Sequence, residues 1–295
     1  MKPRDLVLAL AVTVCWGLNF VVIDVGLREF PPFLLAALRY LFTALPAVFF
    51  VKRPDVQLRW LVAVGLCIGV GQFGLLFLSL HLGMPAGLAS LVVQGQAIFT
   101  LLFGAVLLRE RLGPRLLLGT LLAALGIAVI GAGSKATVPL VALLLSVGSG
   151  ACWGAGNVAM RMARPPAGLG LLVWSSLVAP LPLFALSLVF DGPAAITHAV
   201  TTPRLEPILA LAFIVVLANL FGYGVWTSLL RRYPVAMVAP ISLLVPVTGL
   251  ITAWLALGER PNLIELGGAL VVVAGLLLLY VRLGGRRPNV ASGPS

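Results

Sequence analysis

The chain alternates between long apolar runs and short polar or turn-forming links. Ten of the runs are long enough to cross a bilayer, which takes roughly 20 apolar residues. They cover about 5–23, 32–51, 58–80, 85–108, 113–131, 137–160, 168–190, 207–229, 235–257 and 262–282. Turn signals such as Gly113-Pro114 and Asp191-Gly192-Pro193 separate them. Since no alternating strand pattern appears, the sequence predicts an all-α integral membrane protein with ten transmembrane helices.

Landmarks in the first half of the chain recur in the second half. Cys15-Trp16-Gly17 is repeated 137 positions later, and Glu110-Arg111 is repeated 149 positions later as Glu259-Arg260. Each half then holds five spans, and because five is odd the second copy enters the membrane from the opposite face. The prediction is two five-helix inverted-topology repeats, residues 1–133 and 134–282, around a central cavity. Residues 283–295 are predicted to form a short cytoplasmic tail.

Composition and charge place the chain in a membrane. The residues are 61% hydrophobic and 10% charged, the mean hydropathy is +1.12 and the net charge is +11. The basic residues lie in the links, so they indicate topology and not nucleic-acid binding. Fifteen fall on the side of the N-terminus, and four (Arg28, Lys135, Arg204 and Arg260) fall on the other side. This asymmetry predicts that both termini are cytoplasmic.

The reactive residues favour a carrier over an enzyme. Cys15, Cys67 and Cys152 lie in apolar runs without CxxC or Cys/His spacing, so no disulfide, metal or cofactor is predicted. The acidic residues are scattered over both faces, whereas a lipid-linked transferase needs them clustered with metal or His. No acidic residue lies deep in a span, and His81 and His198 map to outer ends. The sequence therefore predicts transport driven mainly by the substrate gradient.

Three segments resemble a known family. They are Cys15-Trp16-Gly17-Leu18-Asn19-Phe20, Pro32 to Tyr40, and Pro85-Ala86-Gly87-Leu88-Ala89-Ser90 running on to Glu110-Arg111-Leu112-Gly113. The chain resembles the EamA branch of the drug/metabolite transporter superfamily, and within it exporters of the YddG type. The resemblance implies a multi-pass protein of the bacterial inner membrane that exports amino acids, including aromatic and neutral ones. A multidrug or lipid exporter on the same fold is the alternative. Two repeats in one chain imply a functional monomer, with the lipid bilayer and a small-molecule substrate as partners.

Amide side chains at membrane depth are candidates for substrate contact. Each would cost free energy facing lipid, so all are expected to face the bundle interior. There they either join helices by hydrogen bonds or bind the substrate. The positions are Asn19, Gln72, Gln94, Gln96, Asn157 and Asn219. Gln94 and Gln96 point to different sides of their helix, so one of them is expected to line the cavity.

Aromatic residues and one arginine complete the candidate site. The aromatic candidates either bind the substrate, by burying its apolar area or by cation–π attraction, or only pack against neighbouring helices. They are Trp16, Phe77, Trp153, Trp174 and Tyr223. Arg39 lies well inside a span, where it needs a partner. Asp24 is the expected partner if Arg39 is structural, and a substrate carboxylate is the alternative.

Two prolines and four glycines are candidate hinges. Pro240 and Pro246 bracket the middle of the ninth span, where proline frees a carbonyl and permits a kink. Gly71, Gly74, Gly222 and Gly224 sit in the third and eighth spans. Gating is one interpretation of these residues, and close helix packing or static kinking is the other.

Overall fold

The computed structural model describes residues 1–109, 113–133, 138–163, 168–202 and 204–280. Every regular element in these ranges is helical, as predicted. The helices are α1 Pro3–Gly26, α2 Pro32–Val48, α3 Leu58–His81, α4 Ala86–Leu107, α5 Pro114–Gly133, α6 Leu140–Ala163, α7 Gly168–Ser176, α8 Pro180–Leu186, α9 Pro193–Thr201, α10 Leu205–Arg232, α11 Val235–Val238, α12 Leu244–Leu257 and α13 Leu263–Tyr280. The predicted tail, residues 283–295, lies outside the described ranges.

Seven helical segments of the described chain are long and apolar enough to cross a membrane. They are α1, α3, α4, α5, α6, the segment Gly170–Asp191 and α10. Three shorter apolar helices accompany them: Pro32–Val48, Ile241–Leu257 and Leu263–Leu279. The chain is therefore a multi-pass, helical membrane protein. Each of these ten segments overlaps a run expected from hydropathy, although six of them extend beyond it by one to three residues at an end.

Two of the long helices contain extended π-helical segments. In α3 the segment is Gly65–Phe73, and in α10 it is Ile214–Phe221. Their first residues, Gly65 and Ile214, are 149 positions apart, the same offset as the sequence repeat. A π-helical turn is rare and frequently marks a functional site. Hydropathy does not distinguish it from α-helix, so these segments were not predicted.

Polar contacts tie the helices together at each face of the bundle. On the face where α1 begins, called here the N-terminal face, the Asp5 carboxylate accepts hydrogen bonds from Tyr233 and Arg232. On the far face, the two oxygens of Glu259 accept hydrogen bonds from the backbone N–H groups of Ala86 and Gly87 at the start of α4. The segments that meet at each face are distant in sequence, so these contacts fix how the helices pack.

Candidate functional site

Arg39 is buried in the middle of α2, with 2% of its surface exposed. Its Nη2 donates a 2.6 Å hydrogen bond to Asn219 Oδ1, and its guanidinium carbon lies 3.5 Å from the centroid of the Phe73 ring. The other two guanidinium nitrogens have no hydrogen-bond partner in the described chain. A buried cation with two free donors is costly, and it would be stabilised by an anion.

The expected pairing of Arg39 with Asp24 is wrong. Asp24 lies near the far end of α1, where its carboxylate is 3.7 Å from Arg28, one helical turn further on. The Arg39 guanidinium instead turns towards α10 and the aromatic rings of α3. Its direction is set by the packing of α2 against the π-helical segment of α10, which the sequence pattern does not reveal.

A cavity of about 70 Å³ lies beside this cation, between α2, α3, α7 and α10. Asn219 lines it and connects it to Arg39, and Asn219 Nδ2 also donates a 2.8 Å hydrogen bond to Thr43 Oγ1. Tyr40, Thr43 and Tyr223 contribute hydroxyl groups to the wall. The remaining wall is mainly small and apolar, with Gly65, Gly69 and Gly224 among its residues. The arrangement suits a small molecule with one charged end and a short apolar body.

Tyr223 connects the cavity to a cluster of rings on α1 and α10. The centroids of Trp16 and Tyr223 are 5.4 Å apart, and those of Trp16 and Trp226 are 5.2 Å apart. The Trp16 Nε1 donates a 2.9 Å hydrogen bond to the Ala218 carbonyl in the π-helical segment. Trp16 therefore holds α10 one residue before Asn219, although it does not line the cavity itself.

Phe77 forms part of the aromatic surround of Arg39. It is fully buried, and its ring meets the Phe73 ring edge to face at 5.9 Å. The Arg39 guanidinium carbon is 5.9 Å from the Phe77 centroid, which is within the range of a cation–π contact. Phe77 was a candidate for substrate contact. In the structure it lies beside the cation and does not line the cavity.

Asn157 and Gln96 form a second polar network, away from the cavity. Asn157 Nδ2 donates to Gln96 Oε1 at 2.8 Å and to Thr100 Oγ1 at 3.1 Å, and so joins α6 to α4. Gln94 is buried in the 3₁₀ turn Val93–Gly95. Neither Gln94 nor Gln96 lines the cavity beside Arg39.

The remaining candidates lie apart from this cavity. Asn19 and Gln72 are buried, and their amide oxygens have no hydrogen-bond partner in the part of the chain that is described. Trp174 Nε1 donates to the Val51 carbonyl at 2.9 Å, which joins α7 to the segment after α2. Trp153 is half-buried and packs against the hydrophobic core. Among the described residues the two tryptophans therefore differ, because Trp153 does not repeat the hydrogen bond and ring contacts of Trp16.

The candidate hinges lie in different environments. A Cβ atom at Gly71 would lie 2.7 Å from Cys152 Sγ, and one at Gly222 would lie 2.5 Å from Trp16 Nε1. At Gly74 the nearest atom would be at 3.3 Å, and at Gly224 nothing lies within 4 Å. Close packing therefore explains Gly71 and Gly222, whereas Gly224 borders open space.

The two prolines flank a change of helix type. Pro240 belongs to the 3₁₀ segment Ala239–Leu243, and its side chain is outside what the structure describes. Pro246 lies in the first turn of α12, where its missing N–H costs little, and its carbonyl accepts a 3.4 Å hydrogen bond from Ser90. The 3₁₀ segment between α11 and α12 lies in the ninth predicted span, where the sequence predicted a hinge. Whether it moves stays a prediction.

A larger opening of about 720 Å³ lies where α2 leads into α3. Arg59, Trp60 and Asp55 line it together with Leu108 and Arg161. The Arg59 guanidinium carbon is 5.0 Å from the centroid of the Trp60 ring. This polar opening adjoins the ends of α4 and α6.

Tyr40 and Thr43 were not among the predicted site residues. Both are buried and line the cavity, and Thr43 Oγ1 also donates to the Arg39 carbonyl at 2.7 Å. A signal for Thr43 exists in the sequence, because position 43 is one helical turn after Arg39 and shares its face. Tyr40 follows Arg39 directly.

A helical, apolar bundle with a buried cation beside an internal cavity is typical of a membrane transport protein. A model of the EamA-like transporter family matches residues 4–132 and again residues 140–281. The chain belongs to the EamA-like transporter family.

Relatives extend over nearly the whole chain. A "Probable amino-acid metabolite efflux pump" of Escherichia coli (strain K12) is 43% identical over 97% of each chain. One of the same name from Salmonella typhimurium (strain LT2) is 43% identical over 99% of this chain and 100% of that one. A "Probable terminal-alkyne amino-acid exporter" of Streptantibioticus cattleyicolor is 28% identical over 99% of each. One crystal structure matches with TM-score 0.61 and 20% identity over 95% of this chain and 97% of the other, which shows a shared fold.

Proposed function

We propose that the chain is a secondary exporter of small metabolites, chiefly amino acids and their derivatives, that works by alternating access. The observation that carries the proposal is the Arg39–Asn219 pair beside a cavity at membrane depth. A buried guanidinium with two free donors is prepared to receive a carboxylate. The names of the two relatives at 43% identity support amino-acid metabolites as the cargo.

In the proposed architecture the seven long helices and the three shorter ones are ten spans in two repeats, residues 1–133 and 134–282. The two matches of the family model and the equal offset of the π-helical segments support this division. The excess of basic residues on the N-terminal face supports cytoplasmic termini in an inner-membrane protein. A bundle with both repeats in one chain supports a functional monomer.

In the proposed binding mode, the substrate carboxylate replaces the Asn219 amide oxygen on Arg39. Asn219 and Tyr223 then contact the substrate directly, and Trp16 and Phe77 hold the surrounding helices in place. The 3₁₀ segment before Pro246 and the glycines of α3 and α10 allow the helices to rock. The other predicted contacts, at Asn19, Gln72, Gln94, Trp153, Asn157 and Trp174, would require a conformation other than this one.

We further propose that transport is facilitative. The described residues of the cavity wall are neutral, and in the sequence no carboxylate lies deep in a span. Export should then continue when the proton gradient is collapsed and the outward substrate gradient is maintained. Loss of transport under that condition would assign the driving force to protons.

The deciding experiment is uptake of radiolabelled amino acids into proteoliposomes of the purified protein, with unlabelled neutral, charged and aromatic competitors. Saturable, competable uptake without an imposed ion gradient supports the proposal, and Arg39→Gln should reduce it at least ten-fold. Arg39→Lys keeps the charge and should retain part of the activity. Uptake of cationic dyes or lipids in place of amino acids would move the chain to the drug or lipid exporters.

A further inference from the structure

The charge around the cavity is one-sided. Arg39 does not line the cavity but donates a hydrogen bond to Asn219, which does, and no acidic residue is among the lining residues in the described chain. The carboxylates nearest in sequence to the cavity-forming helices lie at helix ends or in links: Glu29 precedes α2, Asp55 precedes α3 and Glu206 is in the first turn of α10. A ligand that displaces the Asn219 amide therefore meets a cation that has no compensating anion in the described chain.

An amino acid is zwitterionic, and only one of its charges fits these surroundings. Its carboxylate would meet Arg39, but its ammonium would be held a few ångströms away among neutral hydroxyls. The aromatic face best placed for a cation, that of Phe73, is already occupied by the Arg39 guanidinium at 3.5 Å. Like charges repel strongly where water is scarce, so the ammonium opposes binding.

A carboxylate without an adjacent ammonium would avoid this penalty. Its complex with Arg39 is electrically neutral, which lowers the cost of burying both charges at membrane depth. An amide nitrogen in place of the ammonium is uncharged and can donate to a hydroxyl oxygen of Thr43 or Ser176. A short acyl group would lie against Ile68 and Leu172 of the wall.

We propose, as an extension of the transport function proposed above, that the Arg39 site prefers monoanionic carboxylates whose nitrogen is uncharged, such as N-acyl amino acids. Free amino acids are accepted less well, and amines that lack a carboxylate are rejected. We attribute the selectivity to the net charge of the ligand. The four probes chosen to test it therefore share one small side chain and differ in charge.

The test measures transport of four radiolabelled alanine derivatives into proteoliposomes at pH 7, with the signal of protein-free liposomes subtracted. N-acetylalanine carries net charge −1, alanine is a zwitterion, N-acetylalaninamide is uncharged and alaninamide is cationic. The expected order of initial rates at low concentration is N-acetylalanine first, alanine at least ten-fold slower, and the two amides at background. N-acetylalanine should also raise the Tm of the wild-type protein in detergent more than alanine does.

Arg39→Gln should abolish the advantage of N-acetylalanine over N-acetylalaninamide. The wild-type ranking alone decides the proposal if this variant does not fold. Alanine transported as fast as N-acetylalanine, or alaninamide competing with either, would overturn the preference while amino-acid export stands. An advantage retained in Arg39→Gln would overturn the assignment to Arg39. If none of the four probes and no amino acid of the earlier panel is transported, the proposed function itself fails.

Discussion

The amide of Asn219 connects a buried cation to the cavity. Its oxygen accepts a 2.6 Å hydrogen bond from Arg39, and its nitrogen donates a 2.8 Å hydrogen bond to Thr43. Arg39 and Thr43 lie one turn apart on α2, whereas Asn219 belongs to the π-helical segment of α10. A substrate that takes over the bond to Arg39 must move this amide, and so changes the contact between the two helices.

Asn219→Asp should inhibit transport without unfolding the protein. The new carboxylate supplies the anion that Arg39 lacks and is already in place, so it competes with the substrate carboxylate. KM should rise at least ten-fold, while the Tm in detergent stays equal to or above that of the wild type. A variant whose KM is unchanged would contradict the placement of substrate at this arginine.

Gly222→Ala and Gly224→Ala should differ sharply in stability. A Cβ at residue 222 would lie 2.5 Å from Trp16 Nε1, which must move and give up its hydrogen bond to Ala218. Overpacking of this kind costs about 1–3 kcal/mol. At residue 224 nothing lies within 4 Å, and alanine is the better helix former. Thermal unfolding followed by tryptophan fluorescence should show a lower Tm only for Gly222→Ala; equal effects would mean that Trp16 is not held this closely.

Tyr233→Phe should weaken the contact between α1 and α10 on the N-terminal face. The Tyr233 hydroxyl donates a 2.7 Å hydrogen bond to Asp5, whose carboxylate is buried and also accepts from Arg232 at 3.1 Å. The hydroxyl also accepts a 3.1 Å hydrogen bond from the Lys2 backbone N–H, so the variant loses two hydrogen bonds, each worth about 1 kcal/mol of unfolding free energy. A double-mutant cycle with Asp5→Ala isolates the bond between the hydroxyl and Asp5. A coupling energy near zero would show that the hydroxyl contributes nothing to the pairing of the two helices.

Some ends of the membrane-spanning segments followed from local signals in the sequence. The Asp191-Gly192-Pro193 link is an example, because Gly192 adopts φ +85° and Pro193 begins α9. Arg39 was also recognisable, since a cation inside an apolar run must have a function or a partner. These features depend on residues close together in the chain.

The partner of Arg39 was not recognisable, because it lies 180 positions away. Two facts that hydropathy does not contain decide which amide meets it. One is how α2 and α10 cross, and the other is the π-helical segment, whose wider turns rotate every residue that follows relative to an ideal helix. Asn157, equally polar in the sequence, therefore meets Gln96, whereas Asn219 meets the cation.

Glu259 joins the α12–α13 link to the start of α4 on the far face. Its two carboxylate oxygens accept hydrogen bonds of 2.7 and 2.9 Å from the N–H groups of Ala86 and Gly87. The preceding Gly258 adopts φ +70°, which turns the chain towards α4. Partial burial raises the pKa of Glu259, the two N–H groups lower it by less, and the nearby charge of Asp24 adds to the increase.

The raised pKa of Glu259 gives the sign of a pH effect. In water the pKa of a glutamate is about 4.3. A carboxyl group whose pKa is higher than this in the folded protein binds its proton more tightly in the folded state than in the unfolded state. The resulting stabilisation is fully present below about pH 4.3 and is lost as the pH rises through the raised pKa. Glu259→Gln keeps one acceptor oxygen but does not titrate. Across a pH series in detergent, the Tm of the wild type minus that of Glu259→Gln should therefore fall as the pH rises from 4 to 7. A difference that grows with pH would mean that the carboxylate is stabilised by its two N–H donors more than burial penalises it, so that deprotonation strengthens the contact on the far face.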